Sequence, residues 1–115
     1  MIRKIIFFEN HFIEFYQKQN AKVKEKIQYT FEIVKQVERV PKKFLEHLTG
    51  TNGLYEIRIE YQSNIYRIFC CFDKGNLVVL FNGFQKKSQK TPKKELKKAI
   101  KLMEKYFEQK NKGNG

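Results

Sequence analysis

The sequence predicts a single α+β domain in which an antiparallel sheet is flanked by helices, in the order β-α-α-β-β-β-α. The prediction depends on a change of apolar periodicity, from helical spacing in the first half to alternation of period two in the second. A length of 115 residues with 41% hydrophobic content, including 11 Phe, supplies one core. We expect one domain over residues 1–110 and a frayed tail over residues 111–115.

The first half of the chain predicts one strand followed by two helices. Residues 2–8 form a short apolar run, and Asn10 can cap a helix that begins directly after it. Over residues 20–38, apolar side chains recur every three or four positions, which is one helical stripe: Val23, Ile27, Phe31, Val34 and Val37. Pro41 should close this helix, and residues 49–53 form a turn cluster that opens the second half.

The second half predicts three strands and a last helix. Residues 55–61 alternate, with Tyr and Ile on one face and charged residues on the other: Glu56, Arg58 and Glu60. Residues 65–72 and 77–84 are further strands, joined by a tight turn over residues 73–76. The Thr91-Pro92 pair starts a helix whose apolar residues are Leu96, Ile100, Met103 and Phe107. We expect the helices to pack on one side of the sheet.

Several classes of function are disfavoured. There is no run of 18 apolar residues, and the N-terminus lacks a signal-peptide core, so we expect a cytoplasmic protein without membrane contact. Cys70 and Cys71 are neighbours in a strand, so their side chains point to opposite faces, and no Cys/His spacing suggests zinc. We expect two buried thiols, no metal and no cofactor; metal or redox chemistry is the less favoured alternative.

Positive charge is concentrated near the C-terminus. Residues 85–115 carry 11 Lys against 3 Glu, a net charge of +8 out of +12 for the whole chain. Such a surface attracts polyanions, and for this protein we expect nucleic acid. The alternative is a solvated face that keeps the protein soluble, but such faces usually mix both signs. The predicted RNA-binding residues are Gln89, Lys90, Lys93, Lys94 and Lys97.

Arg58 and Arg67 lie on consecutive strands and form the candidate reaction centre. A two-residue turn between the strands would place both on one face of the sheet, whereas a three-residue turn would not. Two adjacent arginines require an anion between them. Either an RNA phosphate fills that role, or Glu56 and Glu60 form a cross-strand ion network; the pattern leaves both open.

Lys86 and Lys87 follow the third strand of the meander and should emerge near Arg58. Four cations suit phosphoryl chemistry on RNA, because preorganised positive charge stabilises the charge that develops around phosphorus. RNA supplies its own 2′-hydroxyl nucleophile, so the protein need only orient it and move protons. Two pairs of residues are less favoured participants: His11 and His47 as an acid–base pair, and Tyr61 and Tyr66 as base-stacking residues.

The sequence resembles the RelE/ParE superfamily of type II toxins, and more closely its HigB-like, phage-associated branch. The motifs that carry the resemblance lie between Gly53 and Ala99. They are the run GLYEIR, the Tyr66-Arg67 pair, a strand after an FD turn, and GFQKKSQKTP with its helix. The resemblance implies a toxin with a curved antiparallel sheet that a cognate antitoxin neutralises. We expect this antitoxin to be a helix-turn-helix protein that forms a hetero-oligomer with the toxin.

For RelE and HigB members the resemblance implies metal-independent cleavage of mRNA on the ribosome. It assigns phosphate binding to Arg67, orientation or proton transfer to Arg58, and leaving-group stabilisation to Lys86 or Lys87. Some RelE-type toxins carry a lysine where this chain has Glu56. The resemblance therefore leaves two roles for Glu56, a general base or, as the favoured alternative, a salt bridge to Arg58 or Arg67. The alternatives are a ParE-like gyrase inhibitor without nuclease activity and a passive RNA-binding module.

Overall fold

A computed structural model describes residues 2–113 and contains five strands and three helices. The elements are β1 Lys4–Phe7, α1 His11–Gln17, α2 Ala21–Gln36, β2 Leu45–His47, β3 Leu54–Tyr61, β4 Asn64–Asp73, β5 Leu77–Lys86 and α3 Lys93–Gly113. The predicted α+β class and element order are confirmed, with β2 added. In residues 2–113, no helix has the length and apolar character needed to cross a bilayer.

The strands form one sheet in the order β1-β5-β4-β3-β2. The strands from β2 to β5 pair antiparallel as predicted, but β1 pairs parallel with β5, so the sheet is mixed. The wholly antiparallel prediction was wrong for this strand, because short connections determine direction only within the meander, and two helices and three strands separate β1 from β5 along the chain. β2 was missed because three residues are too few to show a period.

Helices cover both faces of the sheet, which corrects the prediction that they pack on one side. α1 and α2 cover the face that carries Ile57 and Ile68. α3 covers the opposite face, packing on a cluster that includes Phe69 and Phe81. Strands buried on both faces read as continuous apolar runs, and β4 has this character over residues 68–72.

The β3–β4 connection is a two-residue turn formed by Gln62 and Ser63. Both residues have positive φ, 48° and 68°, which matches the turn type that best fits the twist of a two-residue hairpin. Tyr61 therefore pairs with Asn64, and Arg58 pairs with Arg67. The two arginines share a face of the sheet, as the two-residue alternative predicted.

α3 is attached to the sheet near both of its ends. Near its start, the Asn82 side-chain amide donates to the main-chain oxygen and the carboxylate of Glu95, at 3.1 and 3.0 Å. Near its end, buried Asp73 accepts from the Tyr106 hydroxyl at 2.7 Å and from the Lys110 ammonium at 2.6 Å. The helix continues to Gly113, beyond residue 110 where we expected fraying to begin. The last two residues of the predicted tail, 114 and 115, lie outside the described part of the chain.

Gly83 permits α1 to pack closely on β5. A β-carbon at this position would lie 2.6 Å from a ring carbon of Phe15, which is itself buried in the core. The β4–β5 register shifts between Ile68 and Cys70, immediately beside the Gly83 pair. This local irregularity and the missing side chain together let the α1 aromatic ring lie against the strand.

We predict that Gly83→Ala destabilises the protein by about 1–3 kcal/mol, because the new methyl group overlaps the Phe15 ring. The matched control is Gly113→Ala, where an added β-carbon meets nothing within 4 Å. Urea unfolding of both variants measures the difference. Replacing a glycine inside a strand with alanine ordinarily stabilises the folded protein. A Gly83→Ala protein as stable as the wild type would therefore contradict the close contact between position 83 and the Phe15 ring.

The Asp73 contacts give a second prediction, on pH dependence. Hydrogen bonds from Lys110 and then Tyr106 hold the pKa of Asp73 below its ordinary value, so its carboxylate stabilises the folded state above the unfolded pKa. We expect Asp73→Asn to cost about 2 kcal/mol at neutral pH. The difference from wild type should shrink as the pH falls below about 4. Urea unfolding across that range measures it; a constant difference would contradict the charge-based role.

Candidate active site

The predicted catalytic arginines lie on the face of the sheet that α3 covers, but beyond the N-terminal end of that helix. Arg58 is paired directly with Arg67, and Arg67 is paired in turn with Phe84 on β5. Further along the same face, α3 packs on apolar residues such as Leu54 and Phe69. This face of the sheet is therefore divided into an apolar part under α3 and a charged part next to the β3–β4 turn.

Acidic and basic side chains alternate across three strands in the charged part. The Arg58 Nη1 atom donates to Glu46 Oε2 at 2.7 Å, and Arg58 Nε lies 3.4 Å from Glu56 Oε1. The same Glu56 oxygen lies 3.4 Å from Arg67 Nε. We refer to Glu46, Glu56, Arg58 and Arg67 as the charge cluster. Its glutamates separate two guanidiniums that would otherwise repel each other.

Arg67 is the most deeply buried member of the cluster. The residue is 3% exposed, and Glu56 is 6% exposed. Burial lowers the pKa of the Arg67 guanidinium below its ordinary value; the neighbouring Glu56 carboxylate opposes this shift and Arg58 adds to it. Among the described residues, neither Arg67 Nε nor Glu56 Oε2 has a hydrogen-bond partner. The pair is thus joined by charge more than by hydrogen-bond geometry, and it retains unused bonding capacity.

The ion network that the sequence left as one of two alternatives is present, but with a different membership. Glu56 bridges both arginines, whereas the second carboxylate is Glu46 on β2 and not Glu60, which is exposed. Glu46 was missed because β2 was missed. Residues 44–48 read Phe-Leu-Glu-His-Leu, which shows no alternation of period two, so the local pattern contained no signal for this strand.

Lys86 lies close to the arginines, and Lys87 lies further out. Lys86 pairs with Ile65, two positions along the strands from the Arg67–Phe84 pair, so it shares their face and is half-buried. Lys87 follows the strand and is exposed. Both lysines line a shallow cleft of about 420 Å³ beside the cluster.

The predicted RNA-binding residues surround the start of α3. Gln89 and Lys90 lie in the exposed connection between β5 and α3, and three exposed lysines follow in the first turns of the helix: Lys93, Lys94 and Lys97. Cations near a helix N-terminus oppose the helix dipole. Local stability therefore does not account for lysines in the first turn. The hydrogen bonds from Asn82 to Glu95 hold this end of α3 on the sheet.

The two histidines and two tyrosines that the sequence offered as less favoured participants are not members of the charge cluster. His11 contacts Glu9 next to β1, whereas His47 lies on β2, the opposite edge strand, so the two do not form an acid–base pair. Tyr61 and Tyr66 contribute to the core on the opposite face, under α1 and α2. Their packing interpretation is confirmed.

The cysteines are also packing residues. Both are buried, on opposite faces of the sheet, and burial raises the pKa of Cys70 and raises that of Cys71 to about 12. Neither thiol would ionise readily near neutral pH. Across residues 2–113, no three His, Cys, Asp or Glu side chains are grouped to hold a metal ion.

Comparison with known proteins identifies the family. The family model described as "Phage derived protein Gp49-like (DUF891)" matches residues 14–104, which is most of the chain. The chain belongs to this family. No curated protein matches the sequence. The predicted phage-associated branch is therefore confirmed, and every predicted site residue of this Gp49-like protein lies inside the matched range.

Two solved structures share the fold of this Gp49-like protein. The first is a chain of the RelB-RelE antitoxin-toxin complex from Methanococcus jannaschii, with a TM-score of 0.54 and 16% identity, covering 76% of this chain and 99% of that one. The second is a chain of the archaeal RelE-RelB complex from Pyrococcus horikoshii OT3, with a TM-score of 0.52 and 19% identity, covering 72% and 93%. At these identities the likeness establishes the RelE-like fold, as predicted.

We predict that Glu56→Gln destabilises the Gp49-like protein by about 3 kcal/mol, because the buried Arg67 loses its carboxylate while remaining beside Arg58. Added sulfate should recover part of this loss, since a bound anion stabilises the state that binds it. Thermal melting with and without sulfate measures both effects. The control is Glu104→Gln, an exposed position on α3. Equal sulfate stabilisation of all three proteins would contradict an anion site between the arginines.

Proposed function

We propose that this protein is the toxin of a toxin–antitoxin pair and that it cleaves mRNA on the ribosome without a metal ion. The observation that carries the proposal is the pairing of Arg58 with Arg67 beside Lys86, on a RelE-like fold. Both comparison structures are described as complexes of a RelE toxin with its antitoxin. We infer that a cognate antitoxin silences this chain, and that it does so by covering the basic surface.

The proposed reaction is an internal transfer at phosphorus. The ribose 2′-hydroxyl attacks the adjacent phosphorus, a new O–P bond forms, and the bond from phosphorus to the 5′-oxygen breaks, leaving a cyclic phosphate and a free 5′-hydroxyl. One proton leaves the nucleophile and one reaches the departing oxygen. Negative charge accumulates on the phosphoryl oxygens between these events, and cations fixed beforehand stabilise it most effectively.

The charge cluster determines how phosphate would bind. Arg58 is more accessible than Arg67, and its guanidinium already contacts two carboxylates. We infer that the phosphate meets Arg58 first and then competes with Glu56 for Arg67. In the absence of RNA, Glu56 keeps the two guanidiniums adjacent. We assign Glu56 this positioning role, because its Oε1 atom lies 3.4 Å from the Nε atoms of both arginines and holds the two guanidiniums together.

The lysines divide into two groups by position. Lys86 shares a face with Arg67, so we assign it and Lys87 to the charge that develops on the leaving group. The lysines at the start of α3 lie further from the arginines and are exposed, so we assign them, together with Gln89 and Lys90, to docking on ribosomal or messenger RNA. Contacts of the second kind fix position without contributing to the reaction.

We expect the wild-type protein to halt a cell-free translation reaction and to produce new mRNA ends. Arg67→Ala should reduce cleavage at least about a hundredfold, because it removes a preorganised cation at phosphorus. Since Arg67 is buried, Arg67→Lys and Arg58→Lys serve as milder variants whose folding is checked by thermal melting. Primer extension across the message measures the ends.

A comparison variant separates chemistry from docking. Replacing Lys93, Lys94 and Lys97 with Gln should weaken binding most at low salt, and so reduce its salt dependence, while saturating protein still cleaves. Intact messages with normal translation would exclude the nuclease. If the wild type instead blocks supercoiling by DNA gyrase in a parallel assay, the gyrase inhibitor is the correct function. If the wild type binds RNA without cleaving it and does not inhibit gyrase, the protein is the passive RNA-binding module.

A further inference from the structure

The outer edge of the sheet is open beside the charge cluster. β2 pairs with β3 only from Tyr55 to Ile57, so among the described residues no strand covers β3 beyond Arg58. A cleft of about 420 Å³ lies at this edge. Helix α2 forms one wall and the segment before β2 forms another. The cleft therefore leads from the arginine face around the sheet edge toward α2. Of the predicted site residues, only Arg58 lines it.

The lining of this cleft combines aromatic rings with cations. Tyr29 on α2 is 54% exposed, and the Lys26 ammonium lies 5.1 Å from the centre of its ring. On the other wall, the Lys43 ammonium lies 5.0 Å from the centre of the Phe44 ring. We call the cleft that these four residues line, together with Arg58 and Glu60, the aromatic cleft. An exposed ring beside an ammonium offers a face for a planar base and a charge for the phosphate attached to it.

Two further observations favour a ligand that also occupies the charge cluster. Arg58 belongs to both sites, since it contacts Glu46 in the cluster and lines the aromatic cleft. Beyond the cleft, a second depression shares Lys26 and Tyr29 and continues along α2 to Lys22; Glu25 and Tyr61 also line it. A ligand that crosses this edge would therefore meet phosphate-binding and ring-bearing side chains in succession. Single-stranded RNA has this repeating chemistry.

We propose that the aromatic cleft binds an unstacked base of single-stranded RNA next to the phosphate held at Arg58, with stacking on Tyr29 or Phe44. The proposal rests on the nuclease function proposed above and names a subsite for its substrate. Three cations line the cleft against one carboxylate, that of Glu60. An acidic polypeptide would satisfy the ammonium groups but would leave the two ring faces without a planar partner, so the lining favours RNA.

The test measures stacking directly on the full chain. A short single-stranded oligoribonucleotide carrying a fluorescent purine analogue is titrated at low salt, and both anisotropy and quenching of the analogue are recorded. We expect the wild type to quench the analogue and Tyr29→Ala to bind about tenfold more weakly with reduced quenching. Tyr29→Phe, which keeps the ring, should remain within about twofold of wild type. Phe44→Leu should behave like Tyr29→Ala if the base lies between the rings.

The matched control is Phe7→Ala. Phe7 is 49% exposed but lies on β1, the opposite edge strand of the sheet, so its removal should leave binding unchanged. Equal binding and quenching by wild type, Tyr29→Ala and Phe44→Leu would overturn the proposal. It would also be overturned if these variants kept their affinity for the oligoribonucleotide but lost affinity for an acidic polypeptide titrated in the same way. Base quenching by a wild type that cuts no mRNA would support the subsite while contradicting the nuclease function.

Discussion

The pairing of Arg58 with Arg67 is the constraint on which the rest of the site depends. Two guanidiniums brought opposite each other by strand register repel, so the fold must supply negative charge at the same position. It does so with Glu56 from the same strand as Arg58 and with Glu46 from β2. The short β2 strand is thus needed for the charge balance of the site, since it carries Glu46, whose carboxylate pairs with Arg58.

A second consequence concerns the face of the sheet that these residues share with α3. The helix covers the apolar part and is fixed by Asn82 at one end and by Asp73 at the other. The charged part lies outside the helix, and the first turn of α3 carries lysines. One helix therefore closes the core and delimits the site. Changes that shift α3 would alter both stability and the arrangement of cations.

Much of this arrangement follows from the sequence, and the exceptions have physical causes. Alternation over residues 55–61 placed Arg58 on the correct face, but the turn length could not be predicted, because Gln62 and Ser63 adopt positive φ without being Gly or Asn. Glu46 and the aromatic cleft depend on long-range contacts that local periodicity does not encode. The burial of Arg67 could not be read from pattern either, since charged residues are rarely buried.

The parallel pairing of β1 with β5 bears on the order in which the chain folds. Residues 4–7 have no strand partner until residues 77–80 are available, whereas β3, β4 and β5 are neighbours along the chain. Contacts of short sequence separation form first because they cost less loop entropy. During synthesis, the N-terminal strand must wait for nearly two thirds of the chain to follow it. The hairpin that pairs Arg58 with Arg67 can thus assemble before the sheet is complete, and the newly made protein finishes its core only after these two arginines have been paired.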